Sequence, residues 1–449
     1  MPYTNLLGGI ERARAIGHVP IVESEVVQDR LRGWRTLTAE TGGMIDPGLI
    51  VDAKALGSPG DDRRWVLAFD GSMQEVAARE QYPSTRVGYL QIAGVLVHLD
   101  TLLGQGRERL VDPAAIRDAT EEALIPIVLP GSNVCRADMP TVRDSWRTEI
   151  FDIFRTYTIE QSTLLHVYLT LVNHSDKRAP GGVVLARCAA SETCPARDIV
   201  VPVIGGRCPT CGGQLFPTDA LRIHEEVSEE HGNDTALGRL MTVLEQVAMV
   251  AYLNFFLERL PRVLGTLGFI LDGPLAVFGP QAWLHNAIQA FIEDLFARVQ
   301  ANRLGLPVIV GIEKTGQFAE YAAAIGGSIP TQSLMLLPDD YIYGHILTFR
   351  TTPGASFGRD TYYGQKFFYR TEHGAMLVIT VPKTGTARES HQPGEYPALR
   401  DTLQLLDRLE TTLYRDAVIP VALAHSFASI PLRTGTRVLK LLSQEVLRT

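Results

Sequence analysis

The chain has 449 residues, of which 45% are hydrophobic, and its 42 basic and 50 acidic side chains give a formal net charge of −8. This size and hydrophobic content suit a globular protein of two or three domains. The acidic balance argues against nucleic-acid binding through an overall positive field, but it is compatible with a locally basic groove or a partner that delivers the substrate. No run of 18 apolar residues predicts a membrane span, and the first residues lack the apolar segment of a signal peptide. We therefore expect a cytoplasmic protein without membrane contact.

Apolar periodicity predicts strands first and then an alternation of helices and strands. Strands are predicted at 65–69, 87–98, 122–128, 268–271, 306–312, 366–370 and 375–381, and the segment 87–98 is also long enough for a hairpin. Helices are predicted at 26–38, over most of 142–174, at 235–260, at 281–303 and, with breaks at Pro420 and Pro431, over 397–449. This order predicts an α/β or mixed α+β fold. The predicted division is a helical region at 1–60, a core in two parts at 61–180 and 221–449, and an insertion at 181–220.

Two aspartates stand at the same place in two similar segments. Asp70 follows an apolar run in WVLAFDGSMQEV, and Asp272 follows one in LGFILDGPLAVFG. A strand that ends on Asp-Gly directs a carboxylate out of the sheet edge, while the glycine lets the backbone turn away. Two such strand ends placed together would form an oxygen-rich site for Mg²⁺ or Mn²⁺, as in metal-dependent phosphodiesterases. Each segment alone is also compatible with an ordinary turn.

A site for two metal ions needs a further carboxylate from a different element. Glu245 is the best candidate, because it lies at the edge of the apolar stripe of the helix predicted at 235–260. That helix leads directly into the strand that ends at Asp272. The alternative is a charged residue at the solvated rim of a helix.

Four of the five cysteines lie within 24 residues, in the pattern C-x5-C-x13-C-x2-C formed by Cys188, Cys194, Cys208 and Cys211. Clustered cysteine pairs in a cytosolic protein favour a metal over disulfides. The segment GRCPTCGGQL is typical of a zinc knuckle, and four thiolates form a closed, structural Zn²⁺ site. The first pair is unusually wide, so His224 is an alternative ligand, although we expect it to be a surface histidine. The alternatives are unmetallated thiols and, for the ribbon's role, contact with DNA or with a partner protein.

Taken in order, five segments resemble the NurA nuclease family: the DGS at Asp70, the helix with Glu245, ILDGPL, VIVGIEKTG and VALAHSFASI. The resemblance covers most of residues 60–430, and the cysteine segment lies outside it as an inserted zinc ribbon. It implies an RNase H-like core with a mixed sheet flanked by helices, a homodimer, and Mn²⁺- or Mg²⁺-dependent cleavage of DNA. The implied activity is that of a 5′ to 3′ exonuclease or a single-strand endonuclease. The implied partner is a HerA-like hexameric ATPase that moves duplex DNA, in end processing, repair or antiphage defence.

The resemblance also assigns roles to individual residues. It implies that Asp70, Glu245 and Asp272 are metal ligands and that a fourth acidic residue follows the segment around residue 314. Asp339 and Asp340 in LMLLPDDYIYG both fit that description, with a plain turn as the alternative. We expect Asp340 to be a ligand, but the two cannot be aligned uniquely.

The late histidine of the family matches His425 in ALAHSF, which would bind metal or orient water; otherwise it would be a core histidine. Lys314, after the strand at 306–312, could meet a phosphate or simply be solvated, and Lys366 is a weaker candidate for the same role. Nearby aromatic residues could stack on bases or belong to the core. They are Tyr362, Tyr363, Phe367, Phe368 and Tyr369.

The expected chemistry is in-line attack on a DNA phosphate by a metal-activated water. Ser72 lacks the G-x-S-x-G context of a nucleophile, and Cys135 has no patterned histidine partner. The sequence has no Walker A motif, so any DNA movement needs a partner ATPase. Two other classes stay open: a non-catalytic zinc-ribbon adaptor that docks a DNA motor, and a metal-dependent phosphatase acting on nucleotides.

Overall fold

The computed structural model describes residues 18–34, 45–58, 60, 63–103, 120–347, 356–383, 393–410, 418–431 and 434–447. Parts of the helices predicted at 26–38 and 397–449 lie outside these residues. The strands are β1 Ile50–Asp52, β2 Trp65–Ala77, β3 Arg86–His98, β4 Thr120–Pro130, β5 Thr158–Ile159, β6 Ser162–Thr163, β7 Arg178–Ala179, β8 Gly182–Arg187, β9 Arg197–Pro202, β10 Gly206–Arg207, β11 Gln214–Leu215, β12 Leu267–Asp272, β13 Val308–Glu313, β14 Ser333–Leu336, β15 Gly364–Arg370 and β16 Met376–Pro382.

The described α-helices are α1 Val19–Val22, α2 Glu25–Arg32, α3 Leu99–Leu103, α4 Val142–Thr156, α5 Leu164–Asn173, α6 Asp234–Arg259, α7 Leu284–Ala301, α8 Gln317–Ile325, α9 Asp339–Tyr341, α10 Leu399–Leu409, α11 Ile419–Ala428 and α12 Thr434–Val446. All seven predicted strands and the main helices are present. β1 is a strand within the region predicted to be helical; it was missed because it has only three residues and pairs only with the distant β14.

Nine strands form one mixed sheet with the order β1-β14-β15-β16-β13-β12-β2-β3-β4. β2, β12 and β13 run parallel to one another, and the other neighbouring pairs are antiparallel. Within the sheet, β2, β3 and β4 form an antiparallel meander, and β12 and β13 follow on the free side of β2. This is the strand order of an RNase H-like core, so the predicted fold class is confirmed.

Both faces of the central strand β2 are buried, as expected for a strand with parallel partners and helices on either side. On one face, Leu67 and Phe69 share a core with α4, α5, α6 and α7. On the other face, Val66 and Ala68 share a core with α10 and α11. The side chain of Asp70 continues the second series, because side chains alternate along a strand.

Helix α6 is long and apolar enough to cross a membrane, with a mean hydropathy of 1.6 in its most apolar window. In the structure, however, 67% of that window is buried against the rest of the chain. α6 is therefore a core helix of this fold, packed against β2 and β3.

One local prediction at a strand end was wrong for a physical reason. β2 does not end at Asp70 but continues through Gly71 to Ala77, because β3 pairs with it along its whole length. The break predicted at Pro420 is present, because α10 ends at Leu409 and α11 begins at Ile419. Pro420 lies in the first turn of α11, where its missing N–H has no helical partner to lose. By contrast, β12 does end at Asp272, and Gly273 then adopts a φ of 128°.

The cysteine segment folds into a small ribbon. β7, β8 and β9 form a three-stranded antiparallel sheet, and β10 and β11 form a hairpin. Cys188, Cys194 and Cys208 belong to the same core cluster as α4 to α7, so the ribbon is packed against the main fold. The predicted domain boundaries at 60, 180 and 220 stay a prediction.

Candidate metal centre

Asp70 and Asp272 are brought side by side by the register of two parallel strands. Leu271 of β12 pairs with Phe69 of β2, so the residues that follow them occupy equivalent positions on the same face of the sheet. One ligand atom each from Asp70, Asp272 and His425 lies within 4.8 Å of the others. The structure thus unites the two Asp-Gly segments that the sequence singled out, although only one of them is a strand end.

His425 reaches this pair from helix α11. Its Nδ1 lies 2.8 Å from Oδ2 of Asp70, and its side chain is 65% exposed. A histidine buried in the core, the alternative weighed for this residue, is therefore excluded. The contact with Asp70 fixes one ring nitrogen and leaves Nε2 on the accessible side of the ring.

Glu245 approaches the same strand level from helix α6, on the opposite face of β2. It is only 8% exposed, which excludes the solvated-rim alternative. Its Oε1 lies 2.6 Å from the position that a Cβ at Gly71 would occupy, so the absence of a side chain there admits the carboxylate. Burial raises the pKa of Glu245 well above its ordinary value, and the charges of Asp70 and Asp272 raise it further.

The carboxylates are only partly balanced by positive charge. Burial raises the pKa of Asp70, and the neighbouring charge of Asp272 adds to this, whereas the hydrogen bond from His425 opposes it. Lys314 lies at the end of β13, and its Nζ is 2.7 Å from Oδ2 of Asp272. Carboxylates that are held this close together favour a divalent cation, and oxygen donors with one imidazole suit Mn²⁺ or Mg²⁺. The residues present therefore fit such an ion.

Asp339 and Asp340 are not brought to this centre. They lie on α9 after β14, and three strands, β15, β16 and β13, separate β14 from β12. The Asp339 carboxylate instead accepts a hydrogen bond from the backbone N–H of Phe357, at 3.1 Å. Among the described residues, neither aspartate joins a cluster of potential metal ligands. The sequence expectation depended on order along the chain, whereas the sheet adds β14 near its far edge.

Lys366 and the aromatic residues around it belong to the interior. Lys366 is 1% exposed, and its Nζ lies 2.6 Å from a carboxylate oxygen of Glu313 and 3.6 Å from the ring centroid of Phe318. A phosphate contact by this lysine is therefore excluded. Base stacking is excluded in the same way for four of the five aromatic candidates, which are almost fully buried: Tyr363, Phe367, Phe368 and Tyr369.

Sequence reasoning missed the support behind Glu245. The hydroxyl of Tyr363 donates to Oε1 of Gln246, and burial together with the charge of Glu245 raises the pKa of Tyr363 well above its ordinary value. Gln246 and Tyr363 are both buried. The only available signal was a glutamine next to Glu245 inside a strongly apolar helix.

The four cysteine sulfurs converge as predicted for a zinc site. All four lie within 4.8 Å of one another, and the Cys188–Cys211 and Cys194–Cys208 sulfur distances are both 3.7 Å. Four thiolates bound tetrahedrally to Zn²⁺ at about 2.3 Å stand about 3.8 Å apart, so the cluster fits this ion. Backbone N–H groups, first that of Cys211, lower the pKa of Cys208 to about 6, which favours a thiolate.

His224 is neither a ligand of this cluster nor a surface residue. It lies in the 3₁₀-helix Ile223–Glu226 and is 4% exposed. The expectation of a surface histidine was wrong because the segment ALRIHEE, which reads as a polar helix, instead forms short turns packed beneath the ribbon. Cys135, the fifth cysteine, is exposed.

The fold was compared with proteins of known structure. The crystal structure of the NurA nuclease from Sulfolobus solfataricus aligns over 97% of this chain and 98% of its own, with 9% identity and a TM-score of 0.37. Two further NurA structures also align with the chain. A NurA structure with manganese aligns over 88% of this chain and 92% of its own (11% identity, TM-score 0.28). One bound to dAMP and manganese aligns over 95% of each chain (11% identity, TM-score 0.27).

No family model and no curated protein matches the chain. At identities near 10% and TM-scores below 0.4, the structural likenesses do not establish membership of the family. The function therefore depends on what the side chains of the site can do.

Proposed function

We propose that this protein is a metal-dependent nuclease that cleaves DNA with Mn²⁺ or Mg²⁺. One observation carries the proposal: Asp70 and Asp272 stand side by side on parallel strands, and a ligand atom of His425 lies within 4.8 Å of both. Glu245, buried on the other face of β2 at the same strand level, adds a third carboxylate, whose pKa is raised by burial and further by the charges of Asp70 and Asp272. Such convergence of acidic groups from separate elements suits phosphodiester hydrolysis.

The bound cations would supply a hydroxide nucleophile at neutral pH and stabilise the leaving oxygen. Asp70, Asp272 and His425 would hold a cation on the α11 face of the sheet, whereas Glu245 lies on the other face of β2 and would add negative charge at the same strand level. His425 donates Nδ1–H to Asp70 in the tautomer that leaves Nε2 as an acceptor, so it can take a proton from water at the exposed side of the site. Lys314, already at Asp272, is the cation best placed to meet a phosphate oxygen that approaches this edge.

The finer functional assignment is also a proposal. The order of the five sequence segments supports a 5′ to 3′ exonuclease or single-strand endonuclease that works with a HerA-like hexameric ATPase in the cytoplasm. The absence of a Walker A motif from the sequence and the net charge of −8 both favour a separate motor that delivers the DNA. The role would be end processing, repair or antiphage defence.

A homodimer is supported by an apolar surface at one end of the sheet. Edge strand β4 exposes Leu124 and Val128, and helix α12 exposes Val438, Leu441 and Val446. Between β3, β4 and α12 lies an apolar-lined groove of about 380 Å³. Exposed apolar patches beside an unpaired strand edge are typical of protein–protein contacts. We propose that a second copy of the chain covers this surface.

The decisive experiment compares digestion of 5′- and 3′-labelled linear DNA by the wild-type protein, Asp272→Asn and His425→Gln, with and without Mn²⁺. Asp294→Asn, on the exposed side of α7, is the matched control. We expect Asp272→Asn to lose at least about 100-fold in rate and the control to lose nothing, because only the former removes a metal-binding charge.

A change in DNA digestion when a HerA-like ATPase is added tests the proposed partner. Release of phosphate from a mononucleotide phosphate ester tests the phosphatase alternative. Metal-dependent release of phosphate from the ester with intact polymer would favour the phosphatase. DNA binding without turnover in every condition, with the motor present, would favour the adaptor and contradict the nuclease.

A further inference from the structure

A cavity of about 180 Å³ lies between the ribbon and the main fold. Its walls come from β8, the 3₁₀-helices Pro217–Leu221 and Ile223–Glu226, and Trp283 just before α7. These elements belong to the core on the α6 face of the sheet, whereas Asp70 and Asp272 point to the α11 face. The cavity is therefore separate from the metal centre and shares no lining residue with it.

The inner wall offers an unused pair of hydrogen-bonding atoms. His224 lines the cavity at 4% exposure, and within the described chain no hydrogen bond reaches its ring nitrogens. Burial lowers the pKa of His224 to about 4, so the ring is neutral at pH 7. A neutral imidazole carries one donor and one acceptor, and a buried group of this kind favours a partner that supplies the complement.

Beside the histidine, the cavity is apolar. The indole N–H of Trp283 is already bonded to the carbonyl of Ala220 at 2.9 Å, so this side chain offers only ring surface. Leu185 and Pro280 add further apolar wall. A volume of 180 Å³ corresponds to about six water molecules at ~30 Å³ each, which is the scale of one heterocyclic base.

The rim is positively charged. Lys177, Arg187 and Arg222 line it, and Glu225 lies between the two arginines at 2.6 and 2.7 Å. The other acidic lining residue, Asp219, is paired with the buried Arg147 at 2.7 Å. Lys177 is paired with Asp176 at 3.6 Å, so the unbalanced charge comes from the arginines. Arg187 and Arg222 share the single carboxylate of Glu225, which leaves one guanidinium charge at the rim for a phosphate oxygen.

We propose that this cavity binds one nucleotide unit, with the base against His224 and Trp283 and the phosphate at Lys177, Arg187 and Arg222. The same chemistry can come from a free nucleotide or from the terminal nucleotide of a DNA strand. Because β8 forms one wall and leads directly to Cys188, binding would fix the ribbon against the main fold.

The test uses calorimetric titration of the full, zinc-loaded chain without added Mn²⁺ or Mg²⁺ and without chelator. The three probes are dAMP, deoxyadenosine and inorganic phosphate. Arg187→Gln should weaken dAMP and phosphate binding about tenfold and leave deoxyadenosine unchanged, because it removes a charge at the rim. Trp283→Leu should weaken dAMP and deoxyadenosine and leave phosphate unchanged. Arg155→Gln, an exposed arginine on α4, is the control for loss of a positive charge.

Asp272→Asn separates this proposal from the proposed nuclease. It should abolish digestion but keep dAMP binding; dAMP binding that is lost in Asp272→Asn and kept in Arg187→Gln would place the ligand at the metal centre and overturn the proposal. So would the absence of dAMP binding to the wild-type chain at millimolar concentration. If Trp283→Leu does not fold, Arg187→Gln decides alone. Displacement of dAMP by a 5′-phosphorylated oligonucleotide supports the strand end as the source, and its persistence supports a free nucleotide.

Discussion

The carboxylate of Glu245 and the backbone of Gly71 are in direct contact, because position 71 has no side chain. A Cβ there would lie 2.6 Å from Oε1 of Glu245 and 2.5 Å from Cγ of Met241. Real Cβ atoms do not approach other atoms so closely. Gly71 therefore sets how near helix α6 can come to β2, and with it the position of the carboxylate relative to Asp70.

We expect Gly71→Ala to push α6 away from the sheet. Overpacking at such a contact costs about 1–3 kcal/mol of unfolding free energy, and the displaced Glu245 should weaken Mn²⁺ binding. Urea unfolding and Mn²⁺ titration measure the two effects. Gly327→Ala is the matched control, since a Cβ at Gly327 meets no atom within 4 Å and its φ is not positive. Equal stability and equal Mn²⁺ affinity in both variants would contradict this role of Gly71.

Glu245→Gln should make the metal-free protein more stable and the metal-bound protein less active. Since the folded-state pKa of Glu245 is raised, the folded chain holds this proton more tightly than the unfolded chain. The bound proton stabilises the fold fully at pH values below 4.5, the ordinary pKa of glutamate. This stabilisation is lost as the pH rises through the raised folded-state pKa. At pH 8 without metal we expect the glutamine variant to gain on the order of 2 kcal/mol.

Thermal unfolding at pH 4.5 and pH 8, with and without Mn²⁺, tests this expectation. The gap between wild type and variant should open with pH in the absence of metal and narrow when Mn²⁺ is added, because the cation stabilises only the carboxylate. A gap that does not depend on pH would show that Glu245 titrates normally and would contradict its place in the site.

The sheet core and the paired aspartates were predictable because both depend on local signals. Apolar runs identify β2 and β12, and an aspartate directly after such a run stays at that level of the sheet whatever surrounds it. The prediction that the glycine after the aspartate turns the backbone out of the strand was correct only for Gly273. Whether a strand stops or continues depends on its neighbour, and the full-length pairing with β3 that carries β2 past Gly71 is a non-local property.

The burial of Glu245 could not be predicted from the sequence, because it too depends on a contact between distant parts of the chain. A glutamate at the edge of an apolar stripe points to solvent or to the interior according to what the opposing surface leaves open. Here Gly71 leaves that space, some 170 positions earlier in the chain. The prediction for Asp339 and Asp340 depended on the sheet order as well. Two acidic residues do follow a strand there, but that strand, β14, lies near the other edge of the sheet.

The four-cysteine cluster should hold one zinc ion per chain, and Cys211→Ser should lose it. The sulfur spacing of 3.7 Å already matches a tetrahedral thiolate site, and three thiolates bind Zn²⁺ much less tightly than four. Metal analysis of the purified protein gives the stoichiometry, and X-ray absorption gives the ligand type. Cys135→Ser, outside the cluster, should keep the full zinc content. Zinc retained in Cys211→Ser at the wild-type level would contradict the four-thiolate site.

His224 should make the folded protein sensitive to mild acid. Burial lowers its folded-state pKa from 6.5 to about 4, so the unfolded chain binds this proton more tightly than the folded chain does. The stabilising effect is complete above pH 6.5 and is lost as the pH falls towards 4, by about 3 kcal/mol in total. Urea unfolding between pH 4 and pH 7 should therefore show a smaller loss in His224→Gln than in the wild type. His166→Gln, at an exposed position on α5, should behave like the wild type. If all three proteins lose stability in parallel, then His224 is protonated as easily in the folded chain as in the unfolded one, which would contradict the burial of its ring at the cavity wall.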